Sequence, residues 1–297
     1  MDILITGSSG LLASRLIKEL ISTNHKIFYS TRSKTIDKLP HIDIFEPDIN
    51  ILAERLFNID YIIHTAAMPY KDCLKNPYEA INLNSIITAR LGIAAKNANI
   101  KGFIYFSTLR VFKDIVEPYK YESLEPDNFD FYANTKFCGE RFLNSIFEHN
   151  KKNLNILRLA NICCAPTSIS EKHRQTAFND ICYQAIRNKK ILIRSNKYMK
   201  RDFVPFHILK NKVNQIISEE IENTSSISFV SSNQLTTICA LSERIAKAYE
   251  KLFGVKIPIE FSCESNNNQI KYDNKQINRD IFDFEIEKSL RFYHEKI

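Results

Sequence analysis

Along the first half of the chain, short apolar runs alternate with segments of helical period. Residues 3–5, 26–30, 42–45, 61–64, 103–107 and 155–159 read as strands, and 11–22, 51–57, 80–97 and 132–149 as helices. Strands that alternate with helices predict a parallel sheet covered on both faces. The second half is less regular. Residues 178–188 and 241–253 carry a helical pattern, 190–193 and 227–230 a strand pattern, and 262–268 a polar, loop-like one. This pattern predicts an α/β fold: a doubly wound parallel sheet over residues 1–165, then a smaller C-terminal lobe over 166–297, partly interleaved with the first and packed over the crevice at its strand ends.

Composition narrows the class without naming a chemistry. The 297 residues are 44% hydrophobic and 25% charged, as in ordinary globular proteins. No apolar run reaches the ~18 residues that a membrane-spanning helix needs. Met1 leads straight into the strand at 3–5, so no signal segment is expected. Seven cysteines, odd in number and without CxxC spacing, read as reduced thiols of a cytoplasmic protein. The net charge of +7 comes from scattered lysines rather than a basic block, so neither nucleic acid nor a membrane is expected as partner, and no metal.

The first candidate chemistry is a glycine loop. Only six glycines occur, and Gly7 and Gly10 follow the first apolar run. Gly7 lets the backbone turn sharply, Gly10 leaves room for a pyrophosphate, and small Ala13 lets the helix pack closely on the sheet. The helix start then offers free N–H groups to the phosphates. Ser9, Leu11 and Leu12 of the same stretch join Gly7 and Gly10 as expected contacts of a dinucleotide, which makes the sheet a Rossmann sheet. The second strand ends in Thr31-Arg32-Ser33-Lys34 with no carboxylate for an adenosine 2'-hydroxyl. Arg32 could stack on adenine and pair with a 2'-phosphate, so NADP is expected in preference to NAD.

The reactive centre is expected at Tyr132 and Lys136, which share a helix face at i and i+4. A phenol of pKa ~10 is a poor base at neutral pH, and the adjacent ammonium is expected to lower that value. The hydroxyl pair Ser107-Thr108 ends a strand 24 to 25 residues earlier. Thr108 would hold a substrate oxygen against Tyr132, and Lys136 the nicotinamide ribose.

With these stretches the chain resembles the extended short-chain dehydrogenase/reductase family, in its nucleotide-sugar epimerase/dehydratase group. Thr6-Gly7-Ser-Ser-Gly10-Leu-Leu-Ala13 is similar to that family's TGxxGxxG/A, Tyr132-Ala-Asn-Thr-Lys136-Phe-Cys-Gly139-Glu140 to its YxxxKxxGE, and Arg201-Asp202-Phe203-Val204 to its RDFV. The resemblance implies further contacts: Asp48 and Ile49 at adenine, Ala66 and Ala67 of the His64 stretch over the cofactor, Asn82 in a helix, and Ser107 beside Thr108. Asn161 and Arg201 would bind the substrate's diphosphate. It also implies a homodimer.

Departures from the family pattern are informative. Dehydratases of the group place Asp-Glu after the catalytic Thr, to move protons on the sugar. Here Leu109 and Arg110 stand there, and neither can do so. The stretch 264–268 also lacks the second phosphate-binding arginine that relatives often carry. The resemblance therefore implies a 4-ketoreductase or 4-epimerase of a nucleotide-activated sugar. A reductase of a non-sugar ketone and a catalytically silent dinucleotide-binding regulator are the alternatives.

Overall fold

The computed structural model describes residues 1–32, 39–113, 125–127, 130–148, 153–218, 226–262 and 279–297. Lys34, Cys263, the stretch 264–268 and His149, the expected end of the Tyr132 helix, lie outside the described residues.

Six strands form one parallel sheet: β1 (Asp2–Thr6), β2 (Lys26–Ser30), β3 (Tyr61–His64), β4 (Gly102–Thr108), β5 (Asn153–Leu159) and β9 (Ser226–Val230), in the order β2-β1-β3-β4-β5-β9. The inner strands are buried end to end, as parallel strands covered on both faces must be. The chain steps from β1 to β2 in one direction and builds β3 onward in the other. The carboxyl ends of β1 and β3 therefore flank the switch point, where such sheets bind ligands. The fold is thus a doubly wound α/β sheet, as the pattern of apolar runs predicts.

Helices α2 (Ile49–Leu56), α5 (Thr88–Asn97) and α6 (Phe131–Phe147) share one core with this sheet. Leu52, Leu91, Leu143 and Phe147 meet Leu4, Ile62, Phe103 and Leu154 there, all essentially inaccessible to solvent. Burial of each such side chain contributes about 1.5–3 kcal/mol. Gly92 lets α5 and α6 pack closely: a Cβ there would stand 2.7 Å from Leu143 Cδ2. Short helices α3 (Tyr70–Cys73) and α4 (Pro77–Ile81) follow β3. A π-helical segment, Asn82–Ile87, joins α4 to α5, so the expected helix at 80–97 begins at Pro77 and carries an inserted residue.

A second compact unit contains β6 (Asn161–Cys163), α7 (Ala177–Asn188), β7 (Ile191–Ile193), β8 (Lys200–Pro205), β10 (Leu235–Thr237), α9 (Ile238–Phe253), β11 (Ile259–Phe261) and α10 (Arg279–Lys296). Strand β8 pairs parallel with β6 and antiparallel with β10, while β7 pairs with β11. Phe178 and Ile181 of α7, Leu241 and Ile245 of α9, and Phe282, Ile286 and Leu290 of α10 form its core. The chain enters this unit at Ala160, returns to the first at Lys210 and leaves again at Ser231, so the two are interleaved along the sequence. The return follows from β9, which pairs with β5 at the edge of the large sheet.

Some expected elements are absent and others were not foreseen. Residues 42–45 form no strand. Only His41 bridges to Tyr29, and the chain then turns, with the Phe45 N–H taken by the Asp43 side chain at 2.9 Å. Helices α8 (Phe206–Ser218) and α10 and strands β6, β8, β10 and β11 are additional. Among the described residues no helix is long and apolar enough to cross a membrane.

Candidate active site

Gly7 turns out of β1 at φ +68°, a conformation that side chains with a Cβ rarely adopt. A Cβ there would also stand 2.7 Å from the Ala66 Cα, so glycine is required twice over. Gly10 N–H donates to the Gly7 carbonyl at 2.8 Å, and Gly10 is the N-cap residue of α1 (Leu11–Leu20). No side chain caps that helix and no acid occupies its first turn, so its initial N–H groups suit an anion. Ser8 fastens the loop to β2, its N–H and hydroxyl donating to the Ser30 carbonyl at 3.1 and 3.2 Å. Ser9 is exposed at the loop tip, and Leu11 and Leu12 are half-buried.

From the end of β1 a polar chain runs inward to the helix of Tyr132. Thr6 Oγ1 accepts the N–H groups of Thr65 and Ala66, each at 3.2 Å, so its proton points to His64 Nδ1 at 2.7 Å. The ring proton of His64 is then on Nε2, which donates to Thr88 Oγ1 at 2.9 Å. The Thr88 hydroxyl donates to the Asn84 carbonyl at 3.0 Å. Burial pushes the His64 pKa down to about 3, so the ring is neutral. Asn84 continues the chain: its amide donates to Thr135 Oγ1 at 2.9 Å and its carbonyl oxygen accepts the Met68 N–H at 2.7 Å. Asn84 is thus buried, and the expected Asn82, two residues earlier, is half-buried.

Tyr132 and Lys136 lie on α6, capped by Asp130, whose Oδ1 accepts the Ala133 N–H at 3.0 Å. Thr108, at the end of β4, accepts the Arg110 N–H at 3.1 Å. That leaves its own proton free to turn towards Tyr132, whose pKa it helps to hold down. Tyr132 and Lys136 stand on one helix, as their spacing implies, but burial overrides the electrostatics expected of them. Tyr132 is pushed up to about 12, chiefly by burial, with Cys73 adding to the effect. The cation that opposes this is Arg110, not Lys136. Lys136 is itself 1% exposed, and burial lowers its pKa to about 7 against the opposing pull of Glu140. Its Nζ lies 4.1 Å from the Tyr105 ring centroid and has no hydrogen-bond partner among the described residues.

Arg110 Nη2 donates to Asp130 Oδ2 at 2.6 Å, and its guanidinium lies 4.0 Å from the Tyr70 ring centroid. Tyr70 in turn meets the Tyr132 ring edge-to-face, with centroids 6.4 Å apart. Ser107 joins a buried polar group. Its hydroxyl donates to Glu140, whose carboxylate also accepts Arg158 Nη2 at 2.7 Å and Nε at 3.2 Å. All three side chains are buried, so they fasten β4, α6 and β5 together.

The remaining expected residues are spread around the same end of the sheet. Ala66 is buried and Ala67 half-buried just after β3. Asp48 is exposed and caps α2 by accepting the Asn50 N–H at 2.8 Å, with Ile49 packed against the core beside it. Arg32 forms an ion pair with Glu79 and lies 5.6 Å from the Phe45 ring centroid.

In the second unit, Asn161 of β6 donates its amide to the Asp202 carbonyl at 3.1 Å. Arg201 stands half-buried on the adjoining β8. Asp202 is buried and holds Ser231 and Ser232 through hydroxyl bonds of 2.6 Å each, plus the Ser232 N–H at 3.0 Å. Burial raises its pKa although these donors oppose the shift.

Residues 3–206 match the model of the NAD dependent epimerase/dehydratase family. Among curated proteins, the probable low-salt glycan biosynthesis reductase Agl14 of Haloferax volcanii is 28% identical over 148 residues, 48% of this chain and 48% of its own length. Human dTDP-D-glucose 4,6-dehydratase is 28% identical over 177 residues, 54% of this chain and 51% of its own. The chain thus spans about half the length of these relatives. The fold is similar to the crystal structure of UDP-glucuronic acid 4-epimerase from Bacillus cereus in complex with UDP-glucuronic acid and NAD, with a TM-score of 0.78 at 18% identity, covering 100% of both chains.

Proposed function

The chain belongs to the NAD dependent epimerase/dehydratase family, and from that premise we propose that it transfers a hydride at C4 of a nucleotide-activated sugar, as a 4-ketoreductase or a 4-epimerase. The observation that carries this reading is Lys136: an amine held 1% exposed, without a hydrogen-bond partner among the described residues, one turn from Tyr132. Burying such a group costs stability unless something meets it. The hydroxyls of a nicotinamide ribose fit that need, and the uncapped start of α1 after the Gly7–Gly10 turn fits a pyrophosphate.

When bound, the dinucleotide supplies the hydride donor or acceptor. The chain supplies the rest. Thr108 orients the substrate oxygen, and Tyr132 exchanges a proton with it. A phenol pushed up to about 12 is protonated at neutral pH. It is therefore ready to give its proton to a ketone, the direction of a ketoreductase and of the second half of a 4-epimerase. Arg110 and Thr108 ease the return to phenolate. Asn161 and Arg201 are proposed to hold the substrate's diphosphate in the second unit.

A 4,6-dehydration is not proposed, although relatives carry that name. Leu109 cannot carry a proton, and Arg110 is engaged with Asp130. We place the protein in the cytoplasm, which the free thiols of the described cysteines support. A homodimer is supported by exposed Tyr78, Ile81, Ile86, Ile93 and Phe142 on α4, the π segment, α5 and α6.

The test is incubation with UDP- and dTDP-hexoses, hexuronic acids and 4-keto sugars, with each dinucleotide in turn. A C4 epimer without net cofactor change identifies the epimerase. Stoichiometric oxidation of the reduced cofactor identifies the reductase. Neither outcome across the panel contradicts the reading.

A further inference from the structure

Arg32 stands two residues beyond Ser30, the residue to which Ser8 of the glycine loop is bonded. In doubly wound dinucleotide folds, a carboxylate in this region bonds the adenosine 2'-hydroxyl, and an arginine accommodates a 2'-phosphate. The sequence has no carboxylate between Tyr29 and Lys34. The structure brings one from 47 residues away: Glu79, in the first turn of α4, forms an ion pair with Arg32. The two side chains are 53% and 37% exposed, so a ligand can reach the pair. Arg32 is further fixed over the Phe45 ring. Glu79 is also favoured where it is by the positive end of α4.

We propose that Glu79 is the residue that selects the cofactor, taking the place of the missing carboxylate after β2 and making the site prefer NAD to NADP. This deepens, and rests on, the reading that a dinucleotide binds at the glycine loop. A 2'-phosphate carries more than one negative charge and would have to share Arg32 with the Glu79 carboxylate, which repels it. A 2'-hydroxyl instead offers Glu79 a proton to accept. The expected NADP preference drawn from Arg32 alone thus reverses: an arginine already paired with an acid is a support for that acid rather than a vacant phosphate site.

Calorimetric titration of NAD and NADP into the protein, Glu79→Gln, Glu79→Asp and Glu79→Gln/Arg32→Ala tests this without any sugar substrate. The unmodified protein should bind NAD more tightly. Glu79→Gln should tighten NADP about tenfold, the scale of one charge-assisted hydrogen bond, while weakening NAD. Glu79→Asp should keep the NAD preference, and the double variant should lose the gain for NADP. Thermal melts without cofactor check that each variant is folded. Tighter NADP binding by the unmodified protein, or a Glu79→Gln effect equal for both cofactors, overturns the proposal while leaving the dinucleotide reading intact. Binding of neither cofactor overturns both.

Discussion

Arg110 Nη2 donates to Asp130 Oδ2 at 2.6 Å, which ties the turn after Thr108 to the cap of the helix that carries Tyr132. Asp130 therefore serves two neighbours at once, the Ala133 N–H and the guanidinium. Because Arg110 is the cation that opposes the rise in the Tyr132 pKa, its loss should make the phenolate harder to form. Arg110→Gln should move the alkaline-rising limb of kcat/KM for alcohol oxidation to higher pH, and Arg110→Lys should restore part of it. A profile that superposes on the unmodified one would show that Arg110 only supports the turn.

Lys136 carries a cost when nothing meets its amine. Its folded pKa, about 7, lies below the ordinary 10.5, so between these values the unfolded chain holds more protons and stability rises with pH. Lys136→Met should accordingly melt higher than the parent at pH 7 without cofactor, the gap closing towards pH 10.5. The same variant should bind NAD at least about tenfold more weakly, as expected for a lost charge-assisted bond. Melting curves and calorimetry on one sample check both halves. A variant that melts lower yet binds NAD normally would make Lys136 a structural residue.

The Glu140–Arg158 pair is buried on both sides. Removing one partner leaves an uncompensated charge and typically costs 3–5 kcal/mol. Arg158→Ala should lose about that much in urea unfolding, whereas Ser107→Ala, which removes one neutral donor to the carboxylate, should lose less, about 1.5–3 kcal/mol. Equal losses would contradict the assignment of Glu140 as the centre of this staple.

His64 gives the acid dependence. Its folded pKa of about 3 lies below the ordinary 6.5, so the unfolded chain holds the extra proton between them. Stability should therefore fall as pH drops from about 6.5 towards 3, with a His64 contribution of about 2–3 kcal/mol by pH 4.5. His64→Gln should be less stable at neutral pH, yet lose less on acidification. Parallel stability curves for the two proteins would refute a neutral, buried ring.

What the sequence made legible follows from how local each constraint is. Gly7 and Gly10 stand out in a chain with few glycines, and both act within four residues. Tyr132 and Lys136 are related by one helical turn, so their shared helix follows from spacing. The alternation of apolar runs suffices for the parallel sheet, because its inner strands are buried throughout. Relationships set by tertiary contact were not legible. Glu79 meets Arg32 only because the loop after β3 folds back beside β2. Ser107 turns to Glu140 because α6 packs over β4. Burial reversed the expected drop in the Tyr132 pKa, an effect no i,i+4 spacing reveals. Helix α10 escaped notice because its apolar positions, Phe282, Ile286, Leu290 and Tyr293, are diluted by charged neighbours. The apolar residues at 42–45 imitated a strand, while Asp43 and Pro47 turn the chain instead.

The central claim is that Tyr132 moves the proton that accompanies hydride transfer on a nucleotide sugar. The most direct test is single-turnover hydride transfer with whichever sugar the panel identifies, for the protein and Tyr132→Phe, together with NAD titration of both. Tyr132→Phe removes one hydroxyl and keeps the ring, so the account predicts NAD binding within a few-fold of the parent and hydride transfer slowed by more than ~100-fold. Transfer within a few-fold of the parent, with NAD bound normally, would contradict it.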